Sequence, residues 1–80
     1  MSGDTRRLAL IARNPGGTKK AQLERALRDV GWWVHRERGK HEIWTNGSAT
    51  VPVPRTLKGK WTVGEIAKRV LAAEGVGDGG

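Results

Sequence analysis

The sequence predicts an α+β fold: a three-stranded antiparallel meander with two helices on one face and room for an extra short N-terminal helix. Three observations carry this. Leu23, Ala26, Leu27 and Val30 recur at the i, i+3, i+4, i+7 spacing of an amphipathic helix. Between Gly31 and Pro54, three short segments are separated by Gly39-Lys40, which can turn the chain, and by Asn46-Gly47, the strongest short hairpin signal present. Ile66, Val70 and Leu71 then restore a helical stripe.

In chain order, Leu8 and Ile11 suggest a short helix over Arg6 to Ala12, although periodicity alone also allows a strand. Asn14-Pro15-Gly16-Gly17 stops it. The first long helix is expected over Thr18 to Val30, with Thr18 as N-cap and Gly31 as the C′ residue. Lys19 and Lys20 oppose the helix dipole there, at a few tenths of a kcal/mol each. They are either phosphate contacts or a tolerated cost.

Trp32 to Arg38 reads as the first strand. Simple alternation puts Trp32, Val34 and Arg36 on one face, and Trp33, His35 and Glu37 on the other. His41 to Thr45 is the second strand, Asn46-Gly47 suits a type I′ turn, and Ala49 to Pro54 is the third strand. Pro52 and Pro54, two apart, remove donors from the same edge, so this strand must be outermost, with Val51 and Val53 in the core. Thr62 and Glu65 have capping-box spacing, and Trp61 and Ile66 the spacing of a hydrophobic staple, for a helix from Val63 to about Ala73, capped by Gly75. The expected organisation is an N-terminal extension over 1–17, one domain over 18–75 and a flexible tail over 76–80.

Composition narrows the function classes. Fifteen Lys and Arg against eight Asp and Glu leave a net charge of +7, which points to an anionic partner, most simply nucleic acid. No cysteine is present, so a disulfide framework and a thiolate metal site are excluded. The longest apolar run, Leu8 to Ala12, is too short for a membrane span or a signal core. A soluble, cytoplasmic protein is expected. Four Trp are the only aromatics, with Trp32 and Trp61 expected in the core. Trp33 and Trp44 are expected on the uncovered sheet face, to stack on bases, form a protein interface or pack within the domain.

The order of these elements, with Gly31-Trp32, Arg36, Gly39, His41, Trp44, Thr50-Val51-Pro52 and Lys58, resembles the HicA toxin family over roughly residues 13 to 75. The resemblance implies a double-stranded-RNA-binding-domain-like fold. It also implies an mRNA interferase activity and a HicB-like antitoxin as protein partner. Where the family commonly has Ser before the histidine, this chain has Lys40. The resemblance assigns His41 as the catalytic acid or base; without it, a lone strand histidine is more often structural or merely exposed.

The chemistry this implies is economical. RNA is cleaved when its own 2′-OH attacks the adjacent phosphate, so an enzyme needs only proton transfer and charge neutralisation. An imidazole supplies the first near neutral pH, typically for ~10²–10⁴-fold in rate, and Lys or Arg the second. Neither a metal nor a cofactor is called for. Lys40, Trp44, Arg55, Lys58 and Lys60 are the candidate RNA contacts, and Glu42 a candidate to orient His41. A noncatalytic RNA-binding module of the same fold is the competing reading, and an inactive protein that keeps only antitoxin binding is a third.

Overall fold

A computed structural model describes residues 4–75; the expected tail over 76–80 lies outside them. The elements are α1 (Arg6–Arg13), α2 (Lys20–Asp29), β1 (Trp33–Arg38), β2 (His41–Thr45), β3 (Thr50–Pro54) and α3 (Lys60–Ala73). The three strands form one antiparallel sheet in the order β1-β2-β3, so β3 is an outer strand, as its two prolines require.

One face of the sheet is covered. Trp44, Val51 and Val53 point into it and are buried with Leu23, Ala26 and Leu27 of α2 and Val63, Ile66, Ala67 and Val70 of α3. α3 packs against β3, and α1 packs against both α3 and α2. The short N-terminal helix is thus part of the core, contributing the buried Leu8 and Ile11. At its start, Asp4 accepts hydrogen bonds from the Arg6 side chain and backbone N–H, which hold its carboxyl down at about 2.

Junctions follow local chemistry. α2 closes in a Schellman motif: Gly31 takes φ 83°, its N–H donates to the Arg28 carbonyl, and the Trp32 N–H donates to Leu27. The helix begins later than Thr18; Lys19 is the N-cap, and its N–H donates to Gln22 Oε1 at 2.8 Å. The β2–β3 turn is not type I′, which needs φ > 0 at both central residues, because only Gly47 has it. Instead, Asn46 Oδ1 accepts the N–H groups of Ser48 and Ala49, and Thr45 Oγ1 donates to the Ala49 carbonyl, in a longer loop. α3 begins three residues before the expected start, so Thr62 and Glu65 lie inside the helix and form no box. Trp61 shares the outer side of α3 with Glu65 and Lys68 and is 77% exposed, which corrects its placement in the core.

Glu74 ties the end opposite the β1–β2 turn together. Its Oε2 accepts Trp32 Nε1 at 2.8 Å and Asn46 Nδ2 at 3.0 Å, joining the end of α3 to the α2–β1 junction and the β2–β3 loop.

Leu8→Ala is expected to cost about 2–5 kcal/mol in urea unfolding, a large share of the roughly 5–15 kcal/mol of a typical domain. Unchanged stability would mean that α1 is not a core element. Glu74→Ala strands two part-buried donors and should cost about 1–3 kcal/mol, whereas Glu74→Gln, which keeps one acceptor, should lose less. Because the Asp4 pKa is depressed, its contribution at the α1 start is complete above the ordinary carboxyl value of 3.8 and disappears as pH falls through about 2. An NMR titration of the Asp4 side chain checks this.

Candidate nucleic-acid interface

Among the described residues, the other sheet face is free of helices. Strand alternation puts His41, Ile43 and Thr45 of β2 on it, because Glu42 and Trp44 occupy the covered side. His41 opens β2 immediately after the two-residue turn Gly39-Lys40, where Gly39 adopts φ 59° at the first position, as a type II′ turn requires. It is exposed, with Arg38 as its partner on β1 and Pro54 on β3.

β1 departs from simple alternation. Val34 pairs with Trp44 but Arg36 pairs with Ile43, so His35 is an extra residue, a β-bulge. Before the bulge, Val34 faces the helices and Trp33 the open side; after it, Glu37 faces the helices and Arg36 and Arg38 the open side. The expected grouping of Arg36 with Val34 is therefore corrected. Sequence reasoning had no signal for this, since no glycine marks the bulge.

The structure sorts the candidate residues. Lys40 is exposed in the turn beside His41, and its carbonyl accepts the Arg55 N–H at 2.9 Å, which brings Arg55 to the same end of the sheet. The Arg55 guanidinium is paired with Glu37. Lys60 belongs to the helical layer, its side chain lying against Gly16 in the α1–α2 connection, and Lys58 is exposed in the loop before it. Trp44 is fully buried: its Nε1 donates to Glu42 Oε1, and the Arg28 guanidinium lies 5.3 Å from its ring centroid. It cannot stack on a base, which corrects its placement on the open face. Trp33 is there without it, 49% exposed, with its ring edge near Gly47.

Two further residues leave the site. Glu42 is on the face opposite His41 and does not orient it; its carboxylate lies 3.3 Å from Lys20 Nζ. Lys20 also donates to the Arg55 carbonyl at 3.0 Å and pairs with Glu24, so it links α2 to the sheet rather than reaching outward. Among the described residues, no group of three or more His, Asp or Glu side chains is gathered as a metal site would need, and no helix is long and apolar enough to cross a membrane.

Comparisons with protein-family models, with curated proteins and with solved structures find no match to this chain.

Trp44→Phe removes the indole donor to Glu42 and part of the core volume, and is expected to lower stability by roughly 1–3 kcal/mol. RNA affinity of the folded protein should stay within about twofold, measured by anisotropy at constant salt. A larger affinity loss in a variant of unchanged melting temperature would return Trp44 to the interface.

Proposed function

We propose that this chain is a HicA-like toxin: a metal-independent endoribonuclease that cleaves mRNA in the cytoplasm, uses His41 for proton transfer and is neutralised by a HicB-like antitoxin. The observation that supports this most is the exposure of His41 on the uncovered sheet face, with Arg38 across the strand pair and Lys40 in the adjoining turn. The net charge of +7 favours RNA as the partner that the face receives.

In the reaction assigned to it, neutral His41 takes the proton of a ribose 2′-OH. The 2′ oxygen bonds to the adjacent phosphorus, the bond from phosphorus to the 5′ oxygen breaks, and that oxygen leaves with a proton from water; the hydroxide so formed takes the proton held by His41 and restores the neutral imidazole. The products are a 2′,3′-cyclic phosphate and a 5′-hydroxyl. Arg38 and Lys40 carry the charge that the phosphorane develops. The antitoxin on this reading presents an acidic surface, so its association should slow as salt rises.

A noncatalytic RNA-binding module is the second reading. One observation favours it: the strand carboxylates Glu37 and Glu42 both lie on the covered side, so neither serves His41 as a partner acid or base.

End-labelled single-stranded RNA incubated in EDTA distinguishes the two. Wild type should cleave it to a cyclic phosphate terminus, and His41→Ala, matched in fold by circular dichroism, should be slower by ~10²–10⁴-fold. Equal cleavage by both would remove His41 from the chemistry; RNA bound but left intact by the wild type would establish the binding module.

A further inference from the structure

We infer that the open sheet face is a track for single-stranded RNA, in which Arg36 and Arg38 hold phosphates and Trp33 stacks on a base away from His41. The inference rests on the RNA reading above and adds the strandedness of the substrate and two residues that contact it, Arg36 and Trp33.

The face is laid out in three rows. Arg38 pairs with His41, Arg36 with Ile43, and Trp33 with Thr45. Rows on one face are about 7 Å apart, so Trp33 is roughly 14 Å from His41, enough for a few extended nucleotides. Ile43 and Pro52, partners across β2 and β3, give the middle row a partly apolar floor. Arg36 and Arg38 are exposed and have no ion pair among the described residues.

The His35 bulge is what makes this face cationic. Unbroken alternation from Val34 would put Arg36 and Arg38 under the helices and Glu37 beside the His41 row. The one-residue insertion exchanges them. Both strand carboxylates then lie on the covered side, Glu37 paired with Arg55 and Glu42 with Lys20. In its three rows the open face carries the Arg36 and Arg38 guanidinium groups, the His41 imidazole and the Trp33 indole, and no strand carboxylate.

Single-stranded RNA fits this set better than a duplex. An indole can stack only on a base that is out of a helix, and bases in a duplex are already stacked on each other. A sheet face carrying an aromatic and flanking cations is a general solution for unpaired bases. A 2′-OH in a single strand is also free to reach the in-line geometry that the His41 reaction needs.

The test uses a 2′-O-methyl single-stranded oligonucleotide, which lacks the attacking hydroxyl, and a duplex of the same length and chemistry. Binding is followed by anisotropy across a salt series. Wild type should bind the single strand more tightly. Arg36→Gln with Arg38→Gln should reduce the slope of log K against log salt by about 1.4, since each phosphate contact contributes about 0.7 for single strands. Lys68→Gln with Arg69→Gln, on the exposed side of α3, should leave the slope unchanged. Trp33→Ala should weaken binding about tenfold or more without changing the slope, and Trp33→Phe should recover much of it; melting curves establish that each variant is folded. An unchanged slope in the double arginine variant, or equal affinity for the duplex, overturns the track while leaving a His41-dependent cleavage reading intact. Failure of wild type to bind either oligonucleotide overturns both readings and makes the face a protein interface.

Discussion

Burial of Trp44 is the constraint on which the rest of the molecule depends. It lies on the central strand, at the middle of the covered face, against Val51 on one side and Val34 on the other. Because strand side chains alternate, placing this indole under α2 sends His41 and Ile43 to the opposite side. A one-residue slip of β2 would bury the histidine and expose the largest apolar side chain. The sidedness of the candidate site is therefore set by the hydrophobic core.

The core also decides which charges are available. The carboxylates of the strands and Glu24 of α2 are drawn into pairs: Lys20 meets Glu24 and Glu42, and Arg55 meets Glu37. The exposed Arg55–Glu37 pair contributes only about 0–1 kcal/mol to stability. The more consequential effect of these pairs is to keep negative charge off the open face. Arg36 and Arg38 on the sheet's free side, Lys40 in the β1–β2 turn and Lys58 in the loop before α3 are left exposed.

The two ends of the domain have different tasks. At one end, Glu74 binds the α2–β1 junction, the β2–β3 loop and α3 together through hydrogen bonds from Trp32 and Asn46. At the other, the β1–β2 turn and the start of α3 are exposed and cationic. Function at the second end, on the reading proposed above, needs the rigidity supplied by the first, because the rows of the open face keep their spacing only while the strands keep their register.

By itself, the sequence determined the order of the elements, the outer position of β3 and the stripes of α2 and α3, because these follow from local periodicity and from the missing N–H groups of Pro52 and Pro54. It also marked His41, Gly39 and the excess of positive charge. Only the tertiary structure decided which face each strand residue takes. Trp44 and Ile43 are both apolar neighbours on one strand, and nothing local says which of them meets the helices. The bulge at His35, the pairing of Glu42 with Lys20 and the exposure of Trp61 are likewise settled by packing between distant segments. Alternation is a local rule, and a single inserted residue, stabilised by contacts far away in the chain, reverses it for everything that follows on the strand.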